Sequence, residues 1–237
     1  MNIKEPLYII IAKPLDDCKI NNFFSADVGG AKHLLEHPGG LRYAGWDLET
    51  LDNARLIKGE YYEVVNGDRK KIRLYEDGVL IMKVSANQNF LGWGRNPDNF
   101  LNSPRLNPIA LIEVTYNFVY FYSRLISFFD NDPKSIKFVI QFRDTFLSEN
   151  KKLYLNPYGN DSLNFAFDDY PQESPENFME KDALFSSQEI ISNNARCSYE
   201  LIKKIYNWFG ITDEKIPLVI KDDGGLDVID IEKIKKM

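Results

Sequence analysis

The sequence predicts an α+β fold, with an antiparallel β meander in the N-terminal half and two long helices and a C-terminal hairpin in the second half. Residues 60–85 alternate polar side chains with β-branched or aromatic ones around Asn66-Gly67 and Asp77-Gly78, the pattern of strands joined by tight turns. After Pro108 the apolar spacing changes from two to three or four, which is the helical period. The 237 residues are 44% hydrophobic and 14% aromatic, enough to build a core and too apolar for a disordered chain.

Each element has a local cause. Residues 7–12 are a continuous Ile-rich run closed by Lys13-Pro14, read as a buried strand because proline cannot continue a ladder. A short helix is expected over 31–37, where Ala, Lys, Leu and Glu favour it and Pro38-Gly39-Gly40 stops it. Three strands follow over 60–65, 68–75 and 79–85, with Asn66-Gly67 supplying both positive-φ positions of a type I′ turn and Asp77-Gly78 able to do the same. Pro97, Pro104, Pro108 and four asparagines make 96–108 a breaker-rich connector. The chain is therefore read as one compact unit, 1–237, with a sub-boundary at 96–108 between a β-rich part, 1–95, and a helix-rich part, 109–237.

In the second part, Ile109, Ile112, Tyr116 and Val119 form one helical stripe and Leu111, Val114, Phe118 and Phe121 another. A helix over 109–129 that is apolar nearly all round needs cover on every side, and a second copy of the chain is one candidate for that cover. Glu113, Asn117, Ser123 and Arg124 interrupt the segment, which argues against membrane crossing. A strand is expected over 136–142 and a long loop over 156–182. Ser186-Ser187-Gln188-Glu189 fits a capping box that opens one helix, its stripe running from Ile190 through Asn194, Cys197, Leu201 and Ile205 to Trp208. Gly210 ends that helix, and 216–221 with 226–231 read as a hairpin.

The charge balance excludes a generally basic binder. With 35 acidic and 29 basic residues the net charge is −6, which repels nucleic acid unless the cations are gathered on one face. Two cysteines are too few for a disulfide scaffold. With an apolar run of only five residues near the N-terminus, a cytoplasmic location is expected.

Chemistry has few places to reside. His33-Leu34-Leu35-Glu36-His37 puts two imidazoles four apart, so that on a helix both can reach one metal while Glu36 activates a bound water. In its H-x-x-E-H order this segment resembles the signature of the insulinase and pitrilysin-like metallopeptidases. The resemblance covers about eight residues. It implies His33 and His37 as zinc ligands, Glu36 as general base and a downstream glutamate, for which Glu113 lies in range, as third ligand. These are the only two histidines, so any imidazole-dependent catalysis must pass through them. No G-x-S-x-G elbow and no phosphate-binding glycine loop occurs.

Binding features are more plentiful. Arg69-Lys70-Lys71 and Arg73 lie beside Tyr61, Tyr62 and Tyr75, and strand alternation puts Lys71, Arg73 and Tyr75 on one face, able to hold phosphates and stack bases. Trp93 and Arg95 share a glycine-flanked turn suited to stacking on a base or a peptide, and Asp168 and Asp169 lie in an acidic stretch suited to docking a basic protein. The leading expectation is thus a non-catalytic binding or regulatory module acting through protein contacts, with no cofactor. A zinc-dependent hydrolase and a nucleic-acid binder using the basic hairpin are the competing expectations.

Overall fold

The computed structural model describes residues 5–25, 30–42, 46, 48, 53–93, 97–156 and 172–237. Its strands are β1 (Leu7–Pro14), β2 (Arg55–Ile57), β3 (Tyr61–Asn66), β4 (Lys70–Tyr75), β5 (Leu80–Ser85), β6 (Ile136–Arg143), β7 (Phe146–Ser148), β8 (Lys151–Lys152), β9 (Tyr154–Leu155), β10 (Gln172–Glu173), β11 (Phe178–Phe185), β12 (Val219–Lys221) and β13 (Asp227–Ile229). Its helices are α1 (Ala31–Glu36), α2 (Pro97–Asn102), α3 (Pro108–Leu125), α4 (Ser187–Ser192), α5 (Asn194–Trp208) and α6 (Ile231–Lys235).

The fold is α+β, with the expected meander, the two long helices α3 and α5, and the C-terminal hairpin β12–β13. The meander is one side of a larger sheet. Seven strands join in the order β11-β6-β1-β5-β4-β3-β2, and every neighbouring pair is antiparallel. The Ile-rich run that opens the chain sits inside this sheet, bonded to β5 on one edge and β6 on the other. One sheet thus takes strands from both sides of the 96–108 connector, which itself folds in part as α2.

Period-2 alternation gives the sheet an apolar inner face. Tyr8, Ile10 and Ala12 of β1, Leu80, Met82 and Val84 of β5, and Phe138, Ile140 and Phe142 of β6 are all buried. Against it lies α3, whose start is fixed by Asn107: the side-chain oxygen accepts from the amides of Ile109 and Ala110, and Pro108 takes the first helical position, where no donor is needed. Tyr8 and Thr115 share a 3.0 Å hydrogen bond, Phe118 and Tyr122 meet Phe138 edge-on, and the Tyr122 hydroxyl donates to the Gly78 carbonyl at 3.1 Å. Helices α4 and α5 close a second side, where Trp208 stacks on Phe142.

The third side is polar and tethers a loop. Glu113 is fully buried and accepts from Arg42 Nη2 at 2.9 Å, Arg42 Nε at 3.1 Å and the Trp46 amide at 3.1 Å. Asn117 accepts from the Leu41 amide and donates to the Trp46 carbonyl, and Arg124 donates to the Pro38 carbonyl. Residues 113, 117 and 124 lie on one helical stripe. Most side chains of α3 are buried within the single chain. No helix among the described residues is long and apolar enough to cross a membrane.

Four local expectations are corrected. The β3–β4 turn spans three residues, 67–69, and the β4–β5 turn four, 76–79, each with a single left-handed glycine, Gly67 (φ 49°) and Gly78 (φ 76°); in the first, Asn66 is paired with Lys70 and is not a turn residue. Gly78 has a packing reason as well: a Cβ there would come within 2.2 Å of the Phe129 ring. The expected loop over 156–182 overlaps β10 and β11; residues 157–171 lie outside the described residues. As an edge strand with exposed Glu180, Lys181 and Asp182, β11 shows little apolar period to read. The expected single helix after Ser186 is two, because Asn193 leaves helical geometry (φ −147°) and caps α5 by accepting from the Arg196 amide. Finally, β2 adds a fourth strand to the meander, at its outer edge.

Candidate functional site

The other face of the sheet is wet over β4, at Lys83 and Arg143 and along β11, and closed at its centre, where Ile9 and Gln141 are buried. In β4, Ile72 and Leu74 point to the core while Lys71, Arg73 and Tyr75 are half-buried on the opposite side, as alternation predicted. The register carries their rows across the sheet. One row runs Val65, Lys71, Lys83, Ile9, Gln141, Glu180 and the next Glu63, Arg73, Ile81, Ile11, Val139, Asp182. Tyr61 and Tyr75 face each other across β3 and β4, their rings 4.8 Å apart, and the Arg73 guanidinium lies 5.0 Å from the Tyr61 ring.

Charge on this face is uneven. Towards β11 it is neutralised in pairs: Lys137 meets Asp182 at 2.6 Å, and Gln141 links Glu180 to Arg143. Over β4 and β5 the cations are in surplus. Glu63 serves both Arg73, at 2.6 Å, and Lys71, at 3.9 Å, and its bond to Arg73 holds that guanidinium firmly charged. Lys83 has no ion pair among the described residues. Partial burial of its stem, and then the cations Arg73, Arg143 and Lys71, push its pKa down. Burial is the larger cause and the neighbouring cations add to it, while Glu63 opposes the shift.

The histidine motif assembles differently from the resemblance. Helix α1 ends at Glu36 and His37 has left helical geometry (φ −127°), with Pro38-Gly39-Gly40 following directly. His33 and His37 still lie side by side, ring centroids 4.6 Å apart. The carboxylates are engaged elsewhere: Glu36 accepts from the Ala54 amide at 3.0 Å and pairs with Lys32 at 3.4 Å, and Glu113 is enclosed by Arg42 and Trp46. Among the described residues no group of three or more His, Cys, Asp or Glu side chains could hold a metal ion. Both thiols are buried. Cys18 is pushed up to about 11, by burial first and then by Asp130 and Asp16, and Cys197 to about 12 by burial, so neither is a ready nucleophile.

Trp93 follows Gly92 on the wall of a cleft at the end of the sheet. Arg95, Asp168 and Asp169 lie outside the described residues. Lys83 and Arg143 were missed by sequence reading. Lys83 was within reach, since carrying the β4–β5 turn through its pairing sets it opposite Lys71, whereas Arg143 reaches this face only through the distant pairing of β1 with β6. No known family, curated protein or solved structure matches the chain.

Proposed function

We propose that this chain is a non-catalytic binding module whose working surface is the bare face of the sheet over β4 and β5, and that its partner is a single-stranded nucleic acid. The observation that carries this reading is Lys83, exposed and without an ion pair among the described residues, set among Lys71, Arg73 and Arg143 in a protein of net charge −6. Phosphates would neutralise these cations, and the exposed parts of Tyr61 and Tyr75 offer stacking surface that tolerates any base.

The test is fluorescence anisotropy with a labelled 12-nucleotide single strand. Three phosphate contacts correspond to a slope of about −2 in log K against log salt, so affinity should fall roughly twentyfold between 50 and 200 mM salt. Lys71→Glu with Lys83→Glu should abolish binding. Absence of binding at 50 mM salt, or full affinity in the double variant, would overturn the reading.

A protein partner is the second reading, and the β11 edge favours it. There Phe178 and Leu184 are 46% and 59% exposed, and a groove of 520 Å³ runs between β11 and α4–α5, lined by Phe185, Glu189, Arg196 and Lys204. Among the described residues no strand lies beyond β11, and such an edge beside a groove can take an extended peptide.

A further inference from the structure

At the end of the sheet a cleft of 490 Å³ opens between Trp46, Phe90 and Trp93, within the usual range of roughly 300–1,000 Å³ for small-molecule sites. Its walls are rigidly placed. Trp46 is held at three points: its amide by Glu113, its carbonyl by Asn117 and its indole N–H by the Phe90 carbonyl at 3.0 Å. Trp93 is set by the turn before it. The Gly92 amide donates to the Asn87 carbonyl at 2.6 Å, the Trp93 amide donates to the Arg105 carbonyl at 2.6 Å, and a Cβ on residue 92 would fall 2.5 Å from the Asn87 backbone. Only glycine lets the chain pass so close. Both indoles remain half-exposed.

Three side-chain amides surround these rings: Gln88, Asn89 and Asn107. Asn107 uses its oxygen to cap α3, and its nitrogen has no partner among the described residues; the Gln88 and Asn89 amide groups have none either. The Arg105 guanidinium lies 4.8 Å from the Trp93 ring and that of Arg42 5.8 Å from the Trp46 ring; half-exposed aromatic planes bordered by these side-chain amides match a planar heterocycle that stacks and hydrogen-bonds along its edges. Trp46 and Asn107 belong to the α3 side of the sheet, and Arg69 is the residue that links the cleft to the cationic face. The Ser85 amide donates to the Arg69 carbonyl, which extends the β4–β5 ladder by one step, so Arg69 stands two residues before Lys71 and shares its side of the sheet. Its guanidinium donates to the Asn89 carbonyl at 3.0 Å and covers Phe90 at 5.6 Å, placing a cation on the rim.

From this juxtaposition we infer that the Trp46–Trp93 cleft receives one unstacked nucleobase of the strand that the sheet face holds, with Arg69 at the adjoining phosphate. The inference rests on the nucleic-acid reading above. Its test compares a 12-nucleotide single strand with an abasic phosphodiester of the same length, on the wild type, Trp93→Ala, Trp93→Phe and the Lys71→Glu/Lys83→Glu variant. Trp93→Ala should weaken the strand about tenfold without changing the salt slope, and leave the abasic chain unaffected. Trp93→Phe, which keeps a stacking face, should retain at least a third of the affinity. Equal strand affinity in the wild type and Trp93→Ala, with loss only in the lysine variant, would overturn the cleft and leave the sheet face standing. No strand binding by the wild type at 50 mM salt would overturn both.

Discussion

Partial burial of its stem, and then the charges of Arg73, Arg143 and Lys71, lower the pKa of Lys83 from the ordinary 10.5. A lowered value means that the folded chain gives up this proton before the unfolded chain does. Between the lowered value and 10.5 the unfolded state binds more protons, so this residue's contribution makes stability rise with pH across that window. Below it the charged ammonium opposes folding. Lys83→Met keeps the apolar stem and removes the charge, so the variant should match or exceed wild-type stability at pH 7, by up to about 0.5 kcal/mol, and lose that advantage near pH 10.5. Urea midpoints at the two pH values measure this, with a clearly lower midpoint at pH 7 as the contrary result. At this scale the sequence was informative where one strand sufficed: Lys71, Arg73 and Tyr75 follow from alternation alone. It was silent on Arg143, whose place depends on a pairing with β1 more than a hundred residues away.

Among the elements, α3 shows how far local pattern reaches. Its two apolar stripes were plain, and they pack on the sheet and on α4–α5. In the sequence Asn117 and Arg124 counted only against membrane crossing, and Glu113 counted there and as a candidate third metal ligand, yet all three hold the segment containing Pro38, Leu41, Arg42 and Trp46 on the third side. Side chains meant for a loop cannot be told from surface polar residues until the loop is placed. Arg42→Met leaves Glu113 buried without its cation, which should cost about 3 kcal/mol. Arg42→Met with Glu113→Leu should recover most of that, because an apolar pair avoids the desolvation penalty. Chemical unfolding of the two variants tests this, and a loss under about 1 kcal/mol in the single variant would show that the pair does not tether the loop. The break at Asn193 was equally hidden, since Asn194 falls on the apolar stripe and the helical period continues through it.

For the molecule as a whole, the meander was legible because its contacts are local, and the seven-stranded sheet was not, because β6 and β11 join it from far along the chain. Edge strand β11 had the weakest signal of all, with one face wet and charges along it. Net charge was silent in the same way. A total of −6 describes an average, whereas recognition depends on segregation, and only the register gathers Lys71, Arg73, Lys83 and Arg143 on one side. The central claim is that this side of the sheet is where the protein binds. Backbone amide chemical shifts, followed as a 12-nucleotide single strand is added at 50 mM salt, test it directly. The account predicts shifts concentrated in β4 and β5 and around Arg143, reaching residues 88–93 and sparing α5; shifts confined to β11 and α4–α5, or none at all, would contradict it.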